Sequence, residues 1–247
     1  MSWTDAYYGP LYLDSVADLL TPELSALEAA VIARLLALRP EHRVLDLACG
    51  HGRHARVLAG GVAVLVGLDR SRPYLDRARA SSGAWSPPPR YVHGDLRALP
   101  FADGAFDAVY SWYSALFMWD DAGNAAALGA LARVVRAGGR ALVHHANPLR
   151  LAAEPVAHAR RTLADGAVVE EEARFDAATG LETARRRLAR PDGTALEGTA
   201  SLRYYGPDEW GQLARGAGLR VVELTSTTGL SPGTAAAPDV IAVLERP

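Results

Sequence analysis

Residues 44–54, Val-Leu-Asp-Leu-Ala-Cys-Gly-His-Gly-Arg-His, constrain this chain more than any other segment. An apolar strand runs into a glycine turn and then into a helix start. A second apolar run over 62–68 ends at Asp69, 17 residues beyond Gly52. A strand, a tight turn, a helix and a strand closing on a carboxylate form the front half of a βαβ unit that binds a nucleoside. Without Cβ atoms, Gly50 and Gly52 let the main chain approach a ligand closely. The adjacent helix start offers unpaired N–H groups suited to a carboxylate.

The same alternation continues along the chain. Leu24, Leu27, Ala30, Val31, Leu35 and Leu36 recur at helical spacing over 22–38, opened by Thr21 and Pro22. Strands are expected over 44–48, 62–68, 91–93, 106–111 and 140–145. Helices are expected over 53–59, 73–80 and 122–136, the last stopped by Gly138 and Gly139. Nearly continuous apolar strands alternating with helices predict a parallel sheet covered on both faces. From 168 to 205 the pattern becomes alternating and turn-rich, which predicts three antiparallel strands. A helix over 207–217 and strands over 221–225 and 240–244 follow.

Bulk properties set limits. The 247 residues suit one sizeable domain, or one domain with an insertion, and 49% of them are apolar. No apolar run approaches the roughly 20 residues that span a bilayer. The first residues do not read as a signal peptide, and the single cysteine, Cys49, gives no disulfide framework and no Cys-based zinc site. A soluble cytoplasmic protein with no membrane partner is expected. The net charge is −2, with both signs mixed, so no nucleic-acid footprint is expected. Every basic residue is arginine; lysine is absent. The runs Glu170–Glu172 and Arg185–Arg187 read as solvated faces of neighbouring strands.

Taken together, the motifs resemble the class I S-adenosylmethionine (SAM)-dependent methyltransferases of the small-molecule type. Asp46-x-x-x-Gly50-x-Gly52 resembles that family's first motif, Asp69 its acidic residue after the second strand, and Gly94-Asp95 its third. The stretches 94–112 and 131–140 follow the family pattern, so the resemblance covers about residues 40 to 145, with a weaker echo from Arg203-x-Tyr205 to Gly218. It implies an α/β, Rossmann-like fold: a seven-stranded, mostly parallel sheet with helices on both faces, plus an antiparallel β insertion after the fifth strand. Residues 1–150 would hold an N-terminal lid and the SAM-binding core. Residues 151–206 would form the insertion, for substrate or dimer contacts, and 207–247 would complete the core.

The implied cofactor is SAM, with S-adenosylhomocysteine as product. Its carboxylate would meet the Gly50 turn and Arg53, its ribose Asp69, and its adenine Asp95 by analogy. Asp46 would organise the turn or reach the ammonium group, and the carbonyl at Ser111–Trp112 would meet the same group. Ala48, Gly52, Arg70, Leu96 and Tyr8 complete the expected cofactor set. An aromatic substrate pocket is expected from Tyr12, Tyr113, Trp119, Asn147, Arg203 and Tyr205, with Tyr7, Tyr8 and Tyr12 in a lid and Tyr204 at the end of the insertion.

The expected activity is methyl transfer to an O or N atom of a small molecule, in the manner of natural-product tailoring. Sulfonium chemistry belongs to the cofactor, and the protein supplies placement. A proton acceptor helps only a nucleophile that must lose a proton. His144 and His145 lie at the sheet edge where ligands of open α/β sheets bind, on opposite sides of their strand. His145 is taken as the base, with Tyr113 as a second catalytic candidate. Asp120–Asp121 reads as a helix cap, so no metal is expected.

Other readings stay open at this point. Gly50-His-Gly52-Arg-His-Ala55 also fits the dinucleotide fingerprint, with Asp69 near its acidic position. Asp46, the Gly94-Asp95 segment and the insertion oppose a nicotinamide oxidoreductase. A SAM-binding enzyme catalysing rearrangement or decarboxylation, and a noncatalytic binding partner, are the further alternatives. A homodimer through the insertion would cover its strand edges.

Overall fold

The computed structural model describes residues 3–83 and 85–247, apart from the side chain of Asp5. Three helices lead the chain: α1 (Trp3–Tyr7), α2 (Pro10–Val16) and α3 (Pro22–Leu35). Thr21 caps α3 by accepting from the Leu24 N–H, with Pro22 in the first turn where its missing N–H costs nothing. The βαβ unit follows as β1 (Arg43–Leu47), α4 (Arg53–Ala59) and β2 (Val64–Asp69). Next come α5 (Arg72–Ala80), capped by Ser71, β3 (Arg90–His93) and β4 (Phe106–Ser111). Asp120 caps α6 (Asp121–Val134), as the sequence suggests, and β5 spans Val135–Ala146.

After α7 (Pro148–Ala153) the chain forms β6 (Val156–Thr162), β7 (Val168–Asp176), β8 (Leu181–Ala189) and β9 (Ala195–Arg203). It returns through α8 (Pro207–Gly216), β10 (Arg220–Thr225) and β11 (Asp239–Glu245). The main sheet has seven strands in the order β10-β11-β5-β4-β1-β2-β3. Its first five strands in sequence pair in parallel, while β11 is antiparallel to both neighbours. Two apolar layers cover it: Phe117, Leu128 and Trp210 lie among one set of buried side chains, Ile32, Leu58 and Tyr110 among the other. The Rossmann-like architecture and the additional antiparallel sheet agree with the expected fold class.

Three expectations need correction. The antiparallel sheet has four strands, β6-β7-β8-β9, not three. Helix α6 ends at Val134 rather than Arg136, and Gly138–Gly139 lie inside β5. There Gly139 lets the strand pass close to its neighbour, since a Cβ would stand 2.9 Å from the Asp107 carbonyl. The charge runs also differ from two solvated faces. Glu170, Glu171 and Glu172 lie directly opposite Arg187, Arg186 and Arg185. The outer two pairs are solvent-facing, but alternation turns Glu171 and Arg186 inward, where Arg186 is 7% exposed.

The N-terminal helices lie between the two sheets. Gly198 of β9 allows this, because a Cβ there would come within 3.2 Å of the Tyr7 Cα. On one side, Tyr74 donates to the Gly9 carbonyl at 2.8 Å, Arg77 reaches Asp14 at 3.3 Å, and Arg70 donates to Thr4. On the other, Arg161 pairs with Asp18 and Arg190 with Asp14. No helix of the described residues is long and apolar enough to cross a membrane.

Candidate active site

The loop after β1 is the structural centre of the site. Ala48, Gly50 and Gly52 all have positive φ, at 58°, 56° and 74°. Asp69, at the end of β2, fastens this loop: one oxygen accepts from the Gly50 N–H at 2.8 Å and the other from the Ser71 N–H at 2.7 Å. The Arg70 backbone N–H bonds this carboxylate too, and one of its about four lone-pair sites is left for a ligand. Gly52 itself stands outside the cavity lining. A Cβ there would come 2.3 Å from the Tyr91 hydroxyl, so its role is the turn and the packing on β3, not ligand approach.

A cavity of about 580 Å³ opens above these strand ends. Its walls include Asp46, Ala48, Gly50, Arg53, Asp69, Arg70, Asp95, Leu96, Trp112 and Tyr8 from the expected cofactor set. The lid closes it through Thr4, Tyr8 and Tyr12, and Trp119 stands at the Asp95 end. Asp95 already accepts from Arg97, at 2.9 Å between Oδ2 and Nη2, and Arg97 lies over the Trp119 ring.

Two buried atoms in this cavity lack hydrogen-bond partners among the described residues: Asp46 Oδ2 and Arg53 Nη2. One is an acceptor and the other a donor. An orphaned acceptor and an orphaned donor match an ammonium and a carboxylate, the two ends of an amino-acid tail. The chemistry of the donor set thus fits SAM. Burial raises the Asp46 carboxyl to about 7.

Glu28 of α3, which the sequence reading missed, organises the site. Its carboxylate receives Arg53, His54 at 2.9 Å, the Trp112 indole N–H at 3.2 Å and the Tyr113 hydroxyl at 2.8 Å. Burial pushes its pKa up, but hydrogen bonds from His54, Arg53 and Tyr113, with the Arg53 charge, bring it down to about 2. Burial likewise lowers His54 to about 4, so its ring is neutral at pH 7 and donates to Glu28. No short-range pattern marks Glu28, because its partners lie 25 to 85 residues away.

A second cavity, of about 720 Å³, lies between α3, the lid, the ends of β4 and β5, and the inward face of β7, β8 and β9. It shares Tyr8, Tyr12 and Tyr113 with the first. Tyr113 and Ser114 both take positive φ, 59°, at this junction. Non-glycine residues there are strained and need support. His144 supplies it: its Nδ1 accepts from the Tyr113 N–H at 3.1 Å and its carbonyl from the Ser114 N–H at 2.9 Å. The His144 ring also stacks on Trp112, with centroids 4.2 Å apart.

Several expected residues lie elsewhere. His145 is fully buried and lines neither cavity. It stacks on Trp210 and accepts from that indole at Nε2, 3.1 Å away, while Nδ1 lies 2.7 Å from the Ala146 carbonyl. With burial lowering its pKa to about 3, it is a packing residue and not the base. Tyr113 does reach the junction, but burial and Glu28 keep its phenol protonated, so it serves as a wall. Ser111 is fully buried outside both linings. Asn147 caps α7 and donates to the carbonyls of Thr234 and Ala237. Arg203 pairs with Glu209 and covers the Tyr205 ring, and Tyr205 itself bonds Asn124 and Asp121. The sequence reading missed Glu171, Glu182, Arg186 and Asp239 in the second cavity. Only the antiparallel pairing brings the first three there.

Comparison with known proteins agrees with this geometry. Residues 44–139 match a family model described as a methyltransferase domain. The chain is 38% identical over 109 residues to malonyl-[acyl-carrier protein] O-methyltransferase of Pectobacterium atrosepticum, covering 43% of this chain and 40% of that one. It is 43% identical over 104 residues to demethylmenaquinone methyltransferase of Thermus thermophilus, covering 41% and 46%. The chain thus spans less than half the length of the curated relatives it matches. Among solved structures, the CcbJ methyltransferase of Streptomyces caelestis aligns with a TM-score of 0.81 at 22% identity, over 98% of both chains. SAM-bound CalS10 of Micromonospora echinaspora, an amino pentose methyltransferase of calicheamicin biosynthesis, aligns at 0.67 and 21% identity over 90% and 92%. Residues 44–139 thus resemble a methyltransferase domain, and the chain shares the fold of these solved methyltransferases. The match over 44–139 favours the methyltransferase reading over the dinucleotide alternative.

Proposed function

We propose that this chain transfers a methyl group from SAM to an oxygen or nitrogen atom of a small molecule held in the second cavity. The observation that carries this reading is the pair of unpartnered buried atoms, Asp46 Oδ2 and Arg53 Nη2, in a cavity next to a second one. When bound, SAM supplies a methyl group already activated by its sulfonium. Asp46 and Arg53 would hold the amino-acid tail, Asp69 the ribose, and Asp95 with Leu96 the adenine end. Tyr8, Tyr12 and Tyr113 form the wall shared with the acceptor's cavity. Holding the acceptor in line there is worth up to roughly 7–11 kcal/mol of the barrier. The lid shields the reacting groups from water.

A role in natural-product biosynthesis is supported by the likeness to CalS10. The test is calorimetric titration with SAM and S-adenosylhomocysteine. Both should bind, and Asp69→Ala should weaken them about tenfold or more, the scale of hydrogen bonds to a charged group. Unchanged affinity in Asp69→Ala, or no uptake by the unaltered protein, overturns the reading.

A further inference from the structure

Among the described residues, the second cavity contains one carboxylate that no cationic side chain pairs with. Four acidic side chains line it: Glu28, Glu171, Glu182 and Asp239. Glu28 is held by Arg53 and His54. Glu171 is paired with Arg186 at 2.7 Å. Asp239 accepts from Thr227 and faces His144 at 3.4 Å. Glu182 accepts only the Tyr204 hydroxyl, at 3.0 Å, and no arginine or histidine pairs with it among the described residues. Burial, with the nearby Glu171 charge, raises its pKa. A carboxylate out of water without a cation is costly, and a cation arriving beside it recovers that cost.

The same cavity holds a second unmatched group. Arg186 is more than nine-tenths buried, yet its Nη1 has no hydrogen-bond partner. Its charge is already matched by Glu171, so Nη1 calls for a neutral acceptor, such as a hydroxyl or ether oxygen, rather than an anion. The rest of the chamber is rich in tyrosine, including Tyr7, Tyr8, Tyr12 and Tyr204. Arg186 already lies over the Tyr7 and Tyr12 rings, so Tyr8 and Tyr204 are the faces left to favour an ammonium over a neutral group.

We propose that the acceptor is an amine that also carries a hydroxyl or ether oxygen, with Glu182 holding the amine and Arg186 Nη1 the oxygen. This inference rests on the reading of the chain as a methyltransferase and names the substrate class of that site. The amine arrives as an ammonium, gives one N–H proton to the Glu182 carboxylate and on to solvent, and reacts in its neutral form. Its lone pair forms the new N–C bond while the electron pair of the breaking S–C bond stays on sulfur. The positive charge thereby moves from sulfur to nitrogen, and the methylated product leaves as an ammonium. Glu182 is a catalytic residue in this step because it touches the reacting amine.

The test uses the full chain loaded with S-adenosylhomocysteine for binding and with SAM for turnover. Three matched probes are compared: 2-aminocyclohexanol, cyclohexylamine and cyclohexane-1,2-diol. A second trio, 2-phenylglycinol, benzylamine and 1-phenylethane-1,2-diol, repeats the comparison with an aromatic body. Thermal shift should rank the amino alcohols first and the diols last. Methyl label from SAM should appear on nitrogen. Glu182→Gln keeps an acceptor for the Tyr204 hydroxyl and so preserves the fold. It should lower amine binding and turnover about tenfold or more and remove the preference for amine over diol. Cofactor affinity should stay unchanged, because Glu182 is outside the first cavity.

Label on oxygen, equal binding of amines and diols, no binding of any amine, or no effect of Glu182→Gln overturns the inference. Failure to take up SAM in the same preparation is a separate result, and it overturns the underlying reading instead.

Discussion

Asp46 is a carboxylate sealed in the sheet, and its energetics follow from that position. Its pKa is raised to about 7, so the folded protein holds a proton that the unfolded chain releases near 4. The stability this contributes is fully present below pH 4 and is lost as pH rises through 7. A bound ammonium reverses the preference and favours the ionised form. Cofactor uptake at pH 6 should therefore expel close to one proton per site, and at pH 8 it should expel none. Calorimetry in buffers of different ionisation enthalpy measures this, and Asp46→Asn should abolish the release at pH 6. Buffer-independent heats at pH 6 would count against an Asp46–ammonium contact. At this scale the sequence is informative wherever a residue acts on its near neighbours. Asp69 and Gly50 are joined through one strand-loop-strand unit. Glu28 and Glu182 act on partners brought near only by the whole fold, and nothing in their local pattern distinguishes them from ordinary surface glutamates.

Among the elements, α1 and α2 form one wall of the first cavity. They are short, and their own hydrogen bonds would not hold them in water. Their position depends on packing against β8 and β9 and on tethers to α5, of which the Tyr74 hydroxyl on the Gly9 carbonyl is the most direct. Tyr74→Phe removes one hydrogen bond worth about 1 kcal/mol. S-adenosylhomocysteine should then dissociate about fivefold faster in stopped-flow measurements, while the melting temperature falls by only a few degrees. An unchanged dissociation rate would show that the tether does not control the lid. Strand boundaries show what the sequence could and could not reveal. β4 and α4 fall where the apolar runs and glycines place them. β6 does not, because Ala157, His158, Arg160 and Arg161 show neither an apolar run nor alternation, as befits an edge. The choice between His144 and His145 also needed the fold. Alternation says that only one faces the ligand edge, but Trp210 of α8 claims His145 from far along the chain.

Across the whole molecule, the lid couples the two sheets. One of its faces closes the cofactor cavity through Tyr8, and the other packs on β9 at Gly198. Ligand binding on one side should therefore register on the other. In hydrogen-exchange mass spectrometry, SAM should slow exchange several-fold in peptides covering residues 7–16 and 195–203, and not only in the loop at 48–52. Protection confined to that loop would mean that the antiparallel sheet is energetically independent of the cofactor. The parallel core was legible in outline, since its strands are buried on both faces and announce themselves as apolar runs. The second cavity was not, because it exists only where three separately encoded layers meet.

The arginine-only basic composition has its own consequence for the lid. Arg70, Arg77, Arg161 and Arg190 make its side-chain latches, and each guanidinium presents five donors in a fixed fork where an ammonium has three on a flexible stem. These latches do not depend on a flexible ammonium stem. Nor does any side chain offer a primary amine that a methylating centre could alkylate by accident.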